Sequence, residues 1–317
     1  MRVFVAGASG VLGARLVPQL IARGHEVIGT YRSHAKADVL RSLGAQAVPL
    51  DLLDPTSVTR AVLAAHPDAV IHQATALAGK SFAGSLDSVF AETNRLRTVG
   101  TDALLAAARS AGVRRIVAQS FAPYRYVPQG GMVKGEEDPV DGRGSKGTEV
   151  TFAAMAHLDR VVTEAGGIAL RYGGFYGDAD NALVVAVRKR MYPVVGSGAG
   201  VMSFVHLEDA ASATALALEN GRPGIYNVVD DEPAPLRDWL PALAEVLHAK
   251  PPRHVPAWLA RLVAGRAAVE MAMATRGASN AKAKRELGWR LRFPSWRQGF
   301  PAAYGQADSA RDSRAAG

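Results

Sequence analysis

Three glycines spaced Gly7-x-x-Gly10-x-x-Gly13 follow at once on the strand-like run Arg2-Val3-Phe4-Val5-Ala6 and open the helical stretch Val11 to Arg23. A chain that leaves a strand, turns almost without side chains and enters a helix offers backbone N–H groups and the positive end of the helix dipole to an anion. Gly7 permits the tight turn, Gly10 lets a pyrophosphate approach the backbone, and Gly13 allows the helix to pack closely on the strand. The turn therefore reads as a pyrophosphate cradle for a nicotinamide dinucleotide, with Ser9, Val11 and Leu12 completing it. Its spacing differs from the commoner Gly-x-Gly-x-x-Gly.

The next hundred residues alternate short apolar runs with helical stretches, the pattern of parallel strands joined by right-handed crossovers. The expected strands are Arg2 to Ala6, Glu26 to Thr30, Ala47 to Pro49, Ala69 to His72, Arg115 to Gln119 and Ile168 to Arg171, each apolar enough to be covered on both faces. The fold class is α/β, a Rossmann-type doubly wound parallel sheet with a smaller C-terminal substrate lobe. Residues 1–171 read as the dinucleotide-binding domain and 172–300 as the lobe, interleaved with it. Residues 301–317 are aperiodic Ala, Ser, Asp and Arg and read as a disordered tail. Leu12, Leu16 and Leu20 form the inner stripe of the first helix, which Pro18 should kink or deprive of one hydrogen bond. The Gly-, Pro- and charge-rich segment 124–148 reads as a long loop or lid.

The second strand ends Thr30-Tyr31-Arg32-Ser33, where a protein selective for NAD would place an acid against the ribose 2′-hydroxyl. No Asp or Glu stands there. Arg32 instead offers a fork suited to a 2′-phosphate, which favours NADP(H) over NAD(H). Asp51, followed by Leu52, is placed either to accept from the adenine amino group or to cap the next helix.

Further stretches carry a resemblance: His72-Gln73-Ala74-Thr75-Ala76, Val117-Ala118-Gln119-Ser120, Leu170-Arg171-Tyr172-Gly173-Gly174-Phe175-Tyr176-Gly177, Ser203-Phe204-Val205-His206-Leu207-Glu208-Asp209-Ala210 and Ala283-Lys284-Arg285-Glu286-Leu287-Gly288-Trp289. Together with the glycine turn, they make the chain resemble the extended, atypical short-chain dehydrogenase/reductase superfamily, of the NAD(P)-dependent epimerase/dehydratase type, over roughly residues 1–300. The resemblance places Ala74 and Thr75 beside the cofactor. It also implies a catalytic set of Ser or Thr, Tyr, and Lys four residues after the Tyr: the Tyr as acid/base, the Lys lowering its pKa, the Ser binding the reacting oxygen. Ser120 matches the first member, and Tyr124 matches a familiar aromatic of that stretch. No tyrosine of this chain has a lysine four residues on. Aligning the helix through Asp159 puts Thr151 and Met155 at the Tyr and Lys positions, while taking Lys146 as the lysine puts Gly142 at the Tyr. The family's usual Asn is displaced too, since Asn94 lies six residues before Gly100-Thr101 where three are expected. Tyr124, Tyr126, Tyr172 and Tyr176 are the substitute acids within reach in sequence, with Tyr124 and Tyr176 preferred; Lys134, Lys146 and His157 are alternative cations or acids.

Composition closes several other routes. There is no cysteine, which excludes disulfides, thiolate nucleophiles and cysteine-ligated zinc. The eight histidines show no metal-ligand spacing, so no metal site is expected. Ser120 lacks the Gly-x-Ser-x-Gly surround of a hydrolase. With no long apolar run and a strand-like start that leaves no room for a signal peptide, a cytoplasmic location and no membrane partner are expected. Thirteen Lys/Arg face four Asp/Glu over residues 250–317, so the formal charge of +8 is C-terminal. Those cations are scattered, which argues against nucleic acid and leaves a solvated face or a positive wall beside an anionic small-molecule substrate. A homodimer is the partner state compatible with the resemblance. The leading reading is an NADP(H)-dependent oxidoreductase or epimerase/dehydratase-like enzyme acting on a small carbonyl, hydroxy or sugar-like substrate with a non-standard catalytic set. A non-redox isomerase or lyase, and an NADP(H) sensor without catalysis, are the alternatives.

Overall fold

The computed structural model describes residues 1–77, 79–80, 84–123, 125–178 and 181–305. Seven strands form the central sheet: β1 (Arg2–Ala6), β2 (Glu26–Tyr31), β3 (Gln46–Pro49), β4 (Ala69–His72), β5 (Arg115–Phe121), β6 (Ile168–Tyr172) and β7 (Gly224–Val228). All pairs are parallel, in the order β7-β6-β5-β4-β1-β2-β3. The chain thus runs from β1 to one edge, returns to β4 and runs to the other. The crevice beyond the carboxyl ends of β1 and β4 is the switch point at which such sheets take ligands. Six strands match those expected from sequence to within two residues. The seventh, β7, comes from the segment read as lobe.

Helices cover both faces, because the strands are apolar on both. On one side lie α1 (Gly13–Ala22), α2 (Ala35–Ser42) and, from later in the chain, Leu207–Asn220, packing Leu16, Val17, Leu20 and Leu40 against Val3, Val5 and Val27. On the other lie α3 (Pro55–Ala65), α4 (residues 91–110) and α5 (Glu149–Glu164). Asp54 caps α3 through Thr56 N (3.0 Å), with Pro55 at its first position, where the missing N–H costs nothing. Pro18 stands inside α1 with its ring exposed, so the helix stays continuous and forgoes one internal bond.

Helix α4 has three consecutive parts: Ala91–Arg95, a wide π turn Leu96–Gly100, and Thr101–Ser110. A π turn frees carbonyls from the helical ladder. Side chains take them up here: the Thr98 hydroxyl donates to Asn94 O (3.0 Å), and Thr101 and His72 Nε2 reach Leu96 O at 3.4 and 3.2 Å.

The lobe is built from α6 (Ala182–Arg188), α7 (the Leu207–Asn220 helix, shared with the sheet), α8 (Leu236–Val246), α9 (Ala257–Ala274), α10 (Ala281–Leu287) and α11 (Trp296–Tyr304), with two-stranded pairs such as Gly174–Tyr176 on Phe204–His206. Its core is aromatic, with Phe204 set edge-on to Trp239 and Phe300 at 5.1 and 5.3 Å. The boundary drawn at residue 300 falls inside α11. Residues 301–304 are helical rather than a disordered tail, because Phe300 and Tyr304, four apart, anchor that turn in the aromatic core. Residues 306–317 lie outside the described residues. The segment read as a lid is anchored where it is described: Val133–Lys134 pairs with Gly277–Ala278, and the Asp141 carboxylate accepts from Arg143 N and Gly144 N.

Candidate functional site

The glycine turn is built as its spacing predicts. Gly7 has φ +87°, and a Cβ there would stand 2.5 Å from Ala74 N; at Gly13 it would stand 2.3 Å from Ala8 O. Side chains at either place would push the turn away from β4 or α1 away from β1. The Gly7 amide donates to the Thr30 hydroxyl (3.1 Å), and Gly10 N to Gly7 O, fixing the loop between β1 and β2. Helix α1 has neither a side-chain cap nor an acid in its first turn, so its dipole faces outward unneutralised. Leu12 is buried and can face a ligand only through its backbone, whereas Val11 is exposed. Gln73, at the end of β4, donates to the Tyr172 hydroxyl (3.1 Å), while its buried Oε1 has no partner among the described residues. A turn built on glycines and a helix start with neither cap nor acid fit a dinucleotide pyrophosphate.

Around this cradle, Arg32 extends one residue past β2 and pairs with Glu92 of α4, both well exposed. Asp51 Oδ1 accepts from Leu53 N (2.9 Å), the turn-cap geometry. Leu52 is buried against the π turn at Gly100. Ala74 N donates to His72 Nδ1 (3.3 Å), and Ala76 N to the Thr93 hydroxyl (3.0 Å), so the Ala74–Thr75 backbone is held across from Gly7. His72 is a satisfied structural group: burial pushes its pKa down to about 4, and the neutral ring donates through Nε2 and accepts at Nδ1.

The residues named as catalytic separate. Tyr124 lies outside the described residues. Tyr176 sits in the lobe core, edge-on to His206 and Phe300, and its hydroxyl is buried without a partner among the described residues. Burial, reinforced by Asp230 and Asp209, raises its pKa far above the ordinary tyrosine value, the opposite of what an acid/base requires. The assignment of Tyr176 as the acid does not fit this burial. Tyr172 is likewise buried between Gln73 and Thr214.

Ser120 is at the centre of the structure, yet in an arrangement that sequence reasoning missed. Its hydroxyl donates to Asp159 Oδ1 (2.5 Å); Arg125 Nη1 and Arg171 Nε both donate to Asp159 Oδ2, at 2.8 and 2.9 Å. Arg171 Nη1 reaches the Tyr126 hydroxyl at 3.4 Å, and that hydroxyl donates to Asn227 Oδ1 (2.7 Å). All these side chains are buried. Burial alone would raise the Asp159 pKa, but the two guanidinium groups and the Ser120 hydroxyl more than offset it and hold the carboxyl below its ordinary range. Thr151 and Met155 lie on the buried face of α5, and Asn94 Nδ2 donates to the Thr151 hydroxyl (2.9 Å). Arg97 is buried between Asn94 and the Phe90 ring. The available signal was charge out of place: Arg171 interrupts an apolar strand, and Asp159 and Arg97 interrupt buried helix faces.

The comparisons with known proteins agree with this architecture. A family model described as the NAD dependent epimerase/dehydratase family matches residues 3–228. The chain is 42% identical over 309 residues to a 3-diazoavenalumate denitrifying reductase from Streptomyces sp, covering 95% of this chain and 99% of that protein. It is 30% identical over 262 residues to a 2-alkyl-3-oxoalkanoate reductase from Stenotrophomonas maltophilia (strain K279a), covering 75% and 73%. Among solved structures, the UDP-glucose 4-epimerase of Thermus thermophilus in complex with NAD aligns with a TM-score of 0.74 at 26% identity, covering 96% of this chain and 98% of that one. No helix among the described residues is long and apolar enough to cross a membrane. With a parallel sheet in this strand order, a glycine turn at its switch point and relatives named as reductases and epimerases, the chain is an NAD(P)-dependent oxidoreductase/epimerase-type enzyme and belongs to the NAD dependent epimerase/dehydratase family.

Proposed function

We propose that the protein is an NADP(H)-dependent reductase of a small anionic substrate whose hydride acceptor needs no proton from the protein, a diazo-bearing acid being the favoured class. The observation that carries this is the centre itself: with the helix aligned through Asp159, Thr151 and Met155 stand where the family resemblance expects a tyrosine and a lysine, and Ser120 spends its proton on Asp159. Carbonyl reduction leaves an alkoxide that must be protonated, for which a positioned acid is the usual device. Reductive loss of a diazo group has no such demand. A hydride added to the diazo-bearing carbon forms the C–H bond, and the C–N electron pair departs with dinitrogen. The 42% identity across nearly all of a denitrifying reductase of a diazo acid supports the same class.

Bound NADPH would supply the hydride. The backbone of Gly7 to Gly13 would hold its pyrophosphate, Ala74 and Thr75 would line its path, and Asp51 and Leu52 would flank the adenine. Arg32 supports the phosphorylated cofactor, its fork being suited to a 2′-phosphate that would replace Glu92 as its partner. The deciding assay incubates the purified protein with NADPH or NADH and either an ortho-hydroxyaryl diazonium carboxylate or a 3-oxo acid, following the near-ultraviolet absorbance of the reduced cofactor and dinitrogen release. Faster NADPH oxidation with stoichiometric dinitrogen is expected. Turnover of oxo acids without any of the diazo compound would sink the diazo reading, and turnover of neither would sink reduction of these substrates.

A further inference from the structure

Among the described residues, Arg97 is a buried cation with too few partners. It is 4% exposed, and its hydrogen bond among the described residues is one long contact from Nη1 to Asn94 Oδ1 (3.5 Å), although a guanidinium carries five donors. The Phe90 ring, 5.5 Å from its Cζ, covers one face of the group. A charge this buried is ordinarily paired, and Asp159, whose charge acts on it, is already engaged by Arg125, Arg171 and Ser120.

Its location gives the shortfall meaning. Arg97 stands three residues before Gly100-Thr101, in the π turn whose Leu96 carbonyl is held by His72 at the end of β4. It is close enough to His72, Arg125 and Asp159 for its charge to act on them or theirs on it. It therefore lies near the carboxyl end of β4, beside Asn94, Thr151 and the Ser120 network, on the β5 side of the switch point between β1 and β4. We propose that Arg97 is the substrate-holding cation of the site, donating charge-assisted hydrogen bonds to an anionic oxygen of the substrate, a phenolate or carboxylate, beside the hydride acceptor. The π turn presents the guanidinium, Phe90 orients it, and Asn94 links it to Thr151. Burial, with Arg125 adding repulsion and Asp159 opposing, brings its pKa down to about 10.

This deepens the reductase reading and rests on it for the identity of the substrate, but it is tested by binding rather than turnover. The probe is 4-hydroxybenzoate, titrated into the wild-type protein saturated with NADPH and followed by quenching of the nicotinamide fluorescence. Saturable binding is expected, weakened about tenfold or more in Arg97→Met and partly recovered in Arg97→Lys, because a charge-assisted bond is lost and then replaced by a single-point one. NADPH affinity should change less than about twofold in both variants. The neutral methyl 4-methoxybenzoate should not distinguish the proteins. Should Arg97→Met fail to hold NADPH, the comparison is made between wild type and Arg97→Lys alone. Absence of saturable binding to wild type, or equal affinity for 4-hydroxybenzoate in wild type and the variants, overturns the proposal. A wild type that binds the probe through Arg97 yet reduces neither diazo nor oxo acids overturns the reductase reading alone.

Discussion

Single residues in this protein divide between those open to a ligand and those whose burial leaves no room for one. Arg32 is exposed and held by Glu92, so a 2′-phosphate would exchange one anion for another at little structural cost. Arg32→Ala should weaken NADPH about tenfold while leaving NADH unchanged, and Glu92→Gln should tighten NADPH by removing the competitor. Fluorescence titration of both cofactors checks this, and equal losses for the two would remove the argument for NADP(H). Tyr176 is the opposite case, a tyrosine in a promising sequence position whose hydroxyl has no partner among the described residues in an aromatic core. Tyr176→Phe should leave turnover unchanged and stability equal or slightly higher, since an unsatisfied buried hydroxyl costs about 1–3 kcal/mol. A fall in kcat with stability intact would place that hydroxyl at the chemistry after all.

At the scale of elements, Asp159 ties α5 to β5, β6 and the segment after β5 through Ser120, Arg171 and Arg125. Its folded pKa lies below the unfolded value. The native carboxylate therefore resists protonation: its contribution is full above the unfolded range and is lost as pH falls below about 4 towards the lower folded value. Thermal melts across this range should steepen in wild type and flatten in Asp159→Asn, which should itself cost about 3–5 kcal/mol by leaving two buried guanidinium groups uncompensated. An acid branch that is the same in both proteins would show that other carboxylates govern it. Elements also show which parts of the molecule could be read from the sequence. The glycine turn and six strands were legible because each depends on residues adjacent in the chain: glycines where a Cβ would collide, and short β-branched runs between breakers. The Ser120–Asp159–Arg125–Arg171 network was not, since it joins four segments whose proximity only the sheet order creates. Nor was the π turn, which depends on Thr98, Thr101 and His72 accommodating freed carbonyls, and no propensity records that.

Across the whole molecule, the two halves of the chain are woven together. The central sheet takes its last strand, β7, from residues that follow much of the lobe, and α7 and α10 return to cover the same face as α1. The aromatic cluster around Phe204 and Phe300 then closes the lobe with a helix from near the C-terminus. The strand pairing of β6 with β7 has a practical consequence for anyone dividing the gene. A fragment cut after Arg171 would keep the glycine turn but expose the outer rim of β6, a row of unpaired amides and carbonyls on an apolar ribbon, to neighbouring molecules. Such a fragment should precipitate or form concentration-dependent multimers, visible as rising light scattering. Restoring the chain through Val228 would supply the missing partner strand and should suppress that self-association, making the minimal soluble cofactor-binding piece longer than its motifs alone suggest.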